Sequence, residues 1–313
     1  MPATRSLVID TDTASDDAVA ILLALRHPDV AVRAITVVGG NVPLPYGTRN
    51  AAITLELVGA TVPLYAGCEK PLLRRLETAQ HVHGADGMSG VAVAEPSLRI
   101  ADQHAVLALL EIARTEPGRH DLVTLGPLTN IATALSIDPS LLTRFRHTYM
   151  MVGAADGRGN VSPAGEYNAW ADPEAAEMVF KAAGFKTMIG WDVSRKYAVI
   201  TPSEDRRLRS LGRLGAFAAE INQAVFAFAT EISGTPGYDL PDPISMAVAI
   251  DPTLITEQDE RHLAVSMDPP TRGLTFADYR RPLRSANTRV VTGVDGKRFK
   301  EMLFTMLAEG AER

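Results

Sequence analysis

Four carboxylates, those of Asp10, Asp12, Asp16 and Asp17, lie within eight residues near the start of the chain. At this spacing, like charges repel one another by roughly 1 kcal/mol per close pair in water, and by more where water is excluded. The cluster therefore requires a cation or a proton that the acids share. A short apolar run precedes the acids and an apolar helical pattern follows them. The sequence thus predicts a strand, an acidic loop and a helix in succession.

Carboxylate oxygens of this kind are the ligands that Ca²⁺ and Mg²⁺ prefer, and a cation with open positions can promote hydrolysis. Asp242 is a distant carboxylate that could complete such a site, although it stands just before a predicted helix and an N-cap is its alternative role. We exclude an EF-hand because a strand precedes Asp10 and the sixth-position glycine is absent. A haloacid-dehalogenase-like phosphatase, whose first strand also ends in two aspartates one residue apart, is an alternative.

A second group of polar residues lies in the segment 159–173. Asn160, Glu166 and Asn168 offer hydrogen-bond donors and acceptors, which suit a polyhydroxylated sugar; a solvated loop is the alternative. His83 belongs to a glycine-rich segment, which we interpret either as a solvated loop or as a lid that carries a proton donor.

Along the sequence, short apolar runs alternate with segments whose apolar residues are spaced as in a helix. This pattern is typical of βαβ units, which would position these side chains. We predict an α/β fold in which a Rossmann-like, mostly parallel sheet is flanked by helices, with the site at the carboxyl ends of the strands. No linker or repeat divides the chain, so we expect a single domain over residues 1–313. Strands are predicted at Leu7–Ile9, Val32–Val38, Val62–Tyr65, Leu122–Leu125, Tyr149–Val152, Thr187–Ile189, Leu263–Met267 and Arg289–Val294. Helices are predicted at Ala18–Arg26, Thr48–Val58, His104–Arg114, Leu128–Leu135, Pro173–Ala183, Gly215–Ile232, Pro241–Ile250 and Gly296–Leu307.

The composition narrows the classes of protein to which the chain can belong. It has 31 Lys and Arg against 37 Asp and Glu, a net charge of -6, and no basic stripe that would indicate nucleic-acid binding. No apolar run approaches the roughly 20 residues of a membrane span. The single cysteine, Cys68, excludes an internal disulfide, and the N-terminus leads into the first predicted strand without room for a signal peptide. We therefore expect a cytoplasmic protein.

The ordered set of polar segments is more specific than any one of them. In chain order it comprises Asp10-Thr11-Asp12 with Asp16-Asp17, Gly39-Gly40-Asn41, His83-Gly84-Ala85-Asp86-Gly87, Gly126-Pro127-Leu128-Thr129-Asn130, Asn160 with Glu166-Tyr167-Asn168, Asp172-Pro173-Glu174-Ala175-Ala176, and Asp242-Pro243. This set resembles the inosine–uridine-preferring nucleoside hydrolases. The resemblance implies an α/β enzyme that hydrolyses the N-glycosidic bond of ribonucleosides with a bound Ca²⁺ ion. It also implies a nucleoside substrate as the partner, and a homodimer or homotetramer.

The resemblance implies a role for each site residue. Asp12 is the general base that activates a metal-bound water for attack on C1′ of the ribose, and Asp10 supports the loop. The implied metal ligands are Asp12, Asp17, the backbone carbonyl of Leu125 and Asp242. The implied sugar-binding residues are Asp16 and Asn168 for the 2′- and 3′-hydroxyls, Asn41 near the sugar, and Asn160 and Glu166 for the 5′-hydroxyl.

One departure from the family concerns the leaving base. Purine-cleaving members of the best-known subgroup have a histidine immediately before the last Ca²⁺-binding aspartate, whereas this chain has Pro241, which cannot donate a proton. A ribose- or nucleoside-binding protein with impaired catalysis is therefore an alternative function. The candidates for activation of the leaving group are His83, Tyr238, Asp239, Trp191 and Tyr167. We take His83 as the working candidate for the acid, and Trp191 and Tyr238 as candidates for contact with the base.

Overall fold

The computed structural model describes residues 5–278, 280 and 285–310; residues 1–4 and 311–313, the ends of the expected single domain, lie outside the described part. That the whole chain forms one domain stays a prediction. None of the helices in the described ranges is long and apolar enough to cross a membrane.

The helices are α1 (Ser15–Arg26), α2 (Leu44–Leu57), α3 (Gln80–His83), α4 (Ala105–Thr115), α5 (Thr129–Ile137), α6 (Tyr167–Ala171), α7 (Pro173–Lys181), α8 (Trp191–Tyr197), α9 (Pro202–Arg209), α10 (Arg213–Ile221), α11 (Gln223–Ala227), α12 (Pro241–Ile250) and α13 (Gly296–Leu307). The strands are β1 (Arg5–Thr11), β2 (Val30–Val37), β3 (Leu64–Ala66), β4 (Asp121–Thr124), β5 (His147–Met151), β6 (Lys186–Ile189), β7 (Val199–Ile200), β8 (Tyr238–Asp239), β9 (Ile255–Arg261), β10 (Leu263–Val265), β11 (Thr275–Ala277) and β12 (Thr288–Val294).

The central sheet holds eight of the described strands in the order β3-β2-β1-β4-β5-β6-β12-β9. Every neighbouring pair is parallel except β12 and β9, which pair antiparallel at one edge. The prediction of a Rossmann-like, mostly parallel sheet is confirmed. The strand order reverses between β1 and β4, and open α/β sheets bind ligands at such a reversal, outside the carboxyl ends of the strands.

β1 is buried on both faces, which explains why its sequence is an unbroken apolar run rather than an alternating one. Leu7 and Ile9 pack in the cluster that includes α1 and α12, while Val8 packs in the opposite layer with α4, α5 and α7. All three side chains are 0% exposed. Burial of each contributes about 1.5–3 kcal/mol to the free energy of unfolding as an upper estimate. The strand is therefore a rigid base for the acidic loop that follows it.

The prediction of one continuous helix over Gly215–Ile232 is wrong. Helix α10 ends at Ile221, α11 begins at Gln223, and a π-helical turn follows α11. The side-chain Nδ2 of Asn222 donates to the carbonyl of Ala218 at 2.8 Å, and Asn222 is buried. A side-chain amide that takes a carbonyl of the preceding turn competes with the backbone hydrogen bonds of the helix, so the helix is interrupted here.

Sequence reasoning missed the edge strand β9 and the helices α8 and α9. The five central residues of β9 are exposed, so the strand lacks the apolar pattern by which the other strands were predicted. Helix α9 has a capping box formed by Thr201 and Glu204, but Leu208 is its only buried residue. Without an apolar stripe, the helix period cannot be read from the sequence.

Candidate active site

Three acids of the site are positioned by the first turns of two helices that pack together, α1 and α12. Asp16 and Asp17 lie in the first turn of α1, and Asp242 lies in the first turn of α12. Negative charge is favoured near a helix N-terminus, where backbone N–H groups point outward. Leu240, not Asp242, occupies the N-cap of α12, so the N-cap alternative for Asp242 is wrong.

One carboxylate oxygen from each of Asp16, Asp17 and Asp242 lies within 4.8 Å of the other two. Burial is the main cause that raises the pKa of all three carboxyls, to about 8 for Asp16. The charge of Asp17 raises the pKa of Asp16 and of Asp242 further. Three acids this close need a proton or a cation between them. The group unites the expected ligands Asp17 and Asp242 with Asp16, which the resemblance assigns to the sugar.

Asp12 is fully buried in the loop between β1 and α1, beside glycines from two neighbouring strand ends. A Cβ added to Gly40 would overlap Oδ2 of Asp12, and one added to Gly126 would lie 2.9 Å from the Asp12 backbone N. Oδ2 accepts a hydrogen bond from the backbone N–H of Asn41 at 2.5 Å, whereas Oδ1 has no partner. Burial, and then the charge of Asp17, raise the pKa of Asp12 well above its usual range.

Asp17 is held by hydrogen bonds from β1 and its own loop, and Asp10 is held by one from α5. Oδ1 of Asp17 accepts from the Thr11 hydroxyl at 2.5 Å, and its Oδ2 accepts from the Ala14 N–H at 2.9 Å. Oδ1 of Asp10 accepts from Nδ2 of Asn130 at 2.8 Å, while burial raises the pKa of Asp10 to about 7. These contacts fix the acidic loop on the sheet.

In the part of the chain that the structure describes, three buried carboxylate oxygens have no hydrogen-bond partner, namely Oδ2 of Asp10, Oδ1 of Asp12 and Oδ1 of Asp16. An unsatisfied buried polar atom costs roughly 1–3 kcal/mol, and a charged one costs more. A hard divalent cation would satisfy Oδ1 of Asp12, whose carboxyl is close enough to those of Asp17 and Asp16 for their charges to raise its pKa, since Ca²⁺ takes roughly six to eight oxygen ligands. The donor set at this strand edge therefore fits a Ca²⁺-type ion.

The amide of Asn168 contacts two backbone carbonyls at the ends of β4 and β5. Its Nδ2 donates to Leu125 O at 2.7 Å and to Met151 O at 3.0 Å, while its Oδ1 is buried without a partner. A carbonyl oxygen has two lone pairs, so Leu125 O keeps one for a further ligand. Sequence reasoning missed Met151, which lines the cavity and is the last residue of β5, one residue before the end of the predicted strand Tyr149–Val152.

Glu166 is a buried N-cap of α6. Its carboxylate accepts hydrogen bonds from the backbone N–H groups of Gly153 at 2.6 Å, Asn168 at 2.9 Å and Ala169 at 3.1 Å. Burial raises the pKa of Glu166 to about 7 despite these bonds. Asn160 is exposed, and its Oδ1 accepts from the Tyr167 N–H at 2.8 Å.

These polar groups line one cavity of about 830 Å³, a volume typical of small-molecule sites. The predicted residues that line it are Asp16, Asn41, His83, Leu125, Asn160, Glu166, Tyr167, Asn168, Trp191, Asp239 and Asp242. Apolar side chains form much of the remaining wall; they include Val82, Val161, Val199, Val225, Phe228 and Pro236. The lining of the cavity thus combines acidic and amide groups with apolar side chains.

A second cavity of about 470 Å³ lies at the opposite, amino edge of the sheet. Arg5 and Arg146 line it, and both pair with the fully buried carboxylate of Asp121. The two guanidinium groups thus compensate a buried acid. We interpret this cavity as a structural ion-pair site.

His83 is buried beside the acidic loop. Its Nδ1 lies 3.0 Å from Oγ of Ser15 and 3.9 Å from Oδ1 of Asp16. Burial lowers the pKa of His83 to about 4, so the ring is neutral at pH 7. In this state the imidazole can donate a hydrogen bond but does not carry a surplus proton.

Trp191 begins α8 directly after β6 and lines the cavity. The guanidinium carbon of Arg195 lies 4.4 Å from the centre of the Trp191 ring. Arg195 also lines the cavity, and sequence reasoning missed it. The helix that carries it follows a predicted strand end, so the rule that led to the other site residues could have found it.

Tyr238 does not line the cavity, whereas its neighbour Asp239 does. The Tyr238 ring packs edge-on against Phe226, and its hydroxyl lies 3.4 Å from Oδ1 of Asp205. Oδ2 of Asp239 accepts a hydrogen bond from the hydroxyl of Ser194 at 2.6 Å. The structure therefore brings Asp239, but not Tyr238, together with the other candidate residues.

Comparison with known proteins agrees with this geometry. Residues 7–301 match the family model described as inosine-uridine preferring nucleoside hydrolase. The chain is 35% identical to the inosine-uridine preferring nucleoside hydrolase of Leishmania major, covering 94% of this chain and 95% of that protein. It is 34% identical to the pyrimidine-specific ribonucleoside hydrolase RihB of Escherichia coli (strain SE11), covering 93% of each.

A solved structure is similar over nearly the whole chain. The purine-preferring ribonucleoside hydrolase from Gardnerella vaginalis superimposes with a TM-score of 0.89 and 31% identity, covering 97% of this chain and 98% of that one. The site and the fold thus agree with one family. The haloacid-dehalogenase-like phosphatase is set aside on these grounds.

Proposed function

This chain belongs to the inosine–uridine-preferring nucleoside hydrolase family, and from that premise we propose that it hydrolyses the N-glycosidic bond of ribonucleosides with the help of a bound Ca²⁺ ion. As a member of that family, it is an enzyme of the nucleoside hydrolase class. The observation that carries the proposal is the group of buried carboxylates at the reversal of strand order, beside amide and carboxylate groups that suit a sugar.

We propose that four groups hold the ion: the carboxylates of Asp12, Asp17 and Asp242, and the carbonyl of Leu125. When bound, Ca²⁺ supplies positive charge that offsets the clustered acids and lowers the pKa of a coordinated water. Asp16 is the most exposed acid of the cluster, at 7%, and it lines the cavity. We therefore keep Asp16 as a ligand of the ribose hydroxyls, although one of its oxygens lies within reach of the metal group.

Asp12 is the proposed general base. Its Oδ1 is buried without a partner, so it can accept a proton from the attacking water. As the water oxygen bonds to C1′, the C1′–N bond breaks and its electron pair passes to the base. Positive charge that develops on the ribosyl ring is stabilised by the surrounding carboxylates. The products are ribose and the free base.

Asn168 and Glu166 are proposed to orient the sugar. Oδ1 of Asn168 has no partner and can accept a hydrogen bond from a ribose hydroxyl. The Glu166 carboxylate accepts three N–H bonds and has about four lone-pair sites, so one remains for the 5′-hydroxyl. We assign Asn160 to the same hydroxyl and Asn41 to the sugar.

A panel of purine and pyrimidine ribonucleosides, assayed for free base and reducing sugar with Ca²⁺ present, tests the proposal. Turnover of at least one nucleoside, lost in Asp12→Asn, is the expected result. Pro241 favours a second candidate, a nucleoside-binding protein with impaired catalysis. Binding by calorimetry without product from any nucleoside would favour that candidate and overturn the first.

Two further expectations stay predictions. By resemblance the enzyme is a homodimer or homotetramer, which light scattering after size-exclusion chromatography measures directly. A cytoplasmic location is also expected, because a single cysteine suits a reducing compartment.

A further inference from the structure

Arg195 is the only lysine or arginine among the described residues that line the 830 Å³ cavity. The carboxylates that line the same cavity belong to Asp16, Glu77, Glu166, Asp239 and Asp242. Most of these acids suit the metal or the positively charged ribosyl ring. The positive charge of Arg195 is instead placed to stabilise negative charge, and the reaction develops negative charge on the leaving base.

The guanidinium of Arg195 is held in place by two neighbours. Arg195 follows Trp191 by four residues on α8, so the two side chains share one face of the helix. The guanidinium carbon of Arg195 lies 4.4 Å from the centre of the Trp191 ring. Its Nη2 donates to Oδ2 of Asp156 at 2.6 Å. The Arg195 side chain is 25% exposed and that of Asp156 is 42% exposed.

Much of the donor capacity of Arg195 is not used by the protein. A guanidinium carries five N–H donors, and the contact with Asp156 uses one of them. Nε of Arg195 is buried without a hydrogen-bond partner. A purely structural arginine is expected to satisfy its buried donors, so this side chain is better explained by a ligand that accepts hydrogen bonds.

The leaving base needs such a donor because Pro241 offers none. Resting on the proposed function, we propose that Arg195 is a catalytic residue that donates hydrogen bonds to the leaving base as the C1′–N bond breaks. The electron pair of that bond passes to the base nitrogen, and the water oxygen bonds to C1′ while the water proton passes to Asp12. Arg195 keeps its own protons, and the departing base takes a proton from solvent.

A comparison of two leaving groups tests this role. Inosine and uridine release a poor leaving group, whereas 4-nitrophenyl riboside releases a phenolate that needs no hydrogen bond to depart. We expect Arg195→Gln to lose ~100-fold in kcat/KM on the nucleosides but only about 3-fold on the nitrophenyl substrate. Arg195→Lys keeps the charge without the planar fork, so its loss is intermediate and again confined to the nucleosides.

Asp156→Asn is the matched control, because it weakens the ion pair while leaving the guanidinium in the chain. It should retain nucleoside turnover within about 5-fold of the wild type. Equal losses on both kinds of substrate in the two Arg195 variants would overturn the inference, as would an Asp156→Asn loss as large as that of Arg195→Gln. Failure of the wild type to cleave 4-nitrophenyl riboside would instead count against the proposed function itself.

Discussion

The backbone N–H of Asn41 donates to Oδ2 of Asp12 with 2.5 Å between the two atoms, while Oδ1 of the same carboxylate is buried without a partner. One oxygen therefore fixes the orientation of the side chain, and the other is left to act. An asparagine at position 12 can keep the first contact through its carbonyl oxygen. It cannot accept a proton as a carboxylate does.

For that reason, Asp12→Asn should reduce kcat on nucleosides by about 10³-fold, the range expected for loss of a general base. The free energy of unfolding in chelator should rise, because one buried negative charge is removed from the cluster. Base release and thermal melts measure the two quantities. The control is Glu220→Gln, an exposed site on α10. Wild-type turnover by Asp12→Asn would exclude Asp12 as the base.

Removal of the metal should both inactivate and destabilise the enzyme. Asp16, Asp17 and Asp242 lie close enough that a cation bound to the folded state offsets their repulsion. Added Ca²⁺ at about 100 times its Kd should stabilise the wild type by roughly 2.7 kcal/mol, or about 5 °C in Tm. Asp242→Asn should lose this response, whereas Glu220→Gln should keep it. An undiminished Ca²⁺ shift in Asp242→Asn would show that the ion binds elsewhere.

Gly40→Ala should abolish activity through crowding of Asp12. The added Cβ would overlap Oδ2 of Asp12 and lie 2.7 Å from its Cβ, so the carboxylate must move. Gly59→Ala is the contrast, since φ there is +65° and no atom lies within 4 Å of the added Cβ. That variant should lose about 1 kcal/mol of stability through backbone strain but keep its kcat. Kinetics and thermal melts on both variants separate the two effects.

Tyr238→Phe should leave kcat and KM within about 2-fold of the wild type. The hydroxyl lies 3.4 Å from Asp205 and the ring does not line the cavity. A small loss of stability is expected instead, because the hydroxyl is part of a largely buried side chain. A large rise in KM would mean that Tyr238 moves into the base subsite when substrate binds.

His147 should make the folded state sensitive to acid. Burial lowers its pKa from 6.5 in the unfolded chain to about 4 in the folded one. Between these values the unfolded chain binds more protons, so the free energy of unfolding falls as the pH falls from about 6.5 to about 4. A glutamine at position 147 can still contact Thr187 but does not titrate. Over this pH range the Tm of His147→Gln should therefore fall by at least about 2 °C less than that of the wild type. Parallel acid-dependent losses in both proteins would contradict the assignment.

Much of the fold and site could be predicted from local patterns. The spacing of apolar residues distinguishes a buried strand from a helix over a short stretch of sequence. The predicted positions of β1, β2, β4, β5 and β6 are therefore close to the observed ones. Parallel strands share a carboxyl edge, which is why acids after β1 and carbonyls after β4 could be expected to meet. The spacing of apolar residues did not predict β9, because the central residues of this strand are exposed and show no apolar period.

The sequence by itself determined the alternating α/β architecture and the residue types of the acidic loop, since both depend on neighbours along the chain. Only the tertiary structure decided that Asp242 approaches Asp16 and Asp17 within 4.8 Å, because this depends on how α12 packs against α1. The tertiary structure also decided that Arg195 lines the cavity and that Tyr238 does not. Contacts between residues far apart in sequence depend on packing across the whole core, and no local period encodes them.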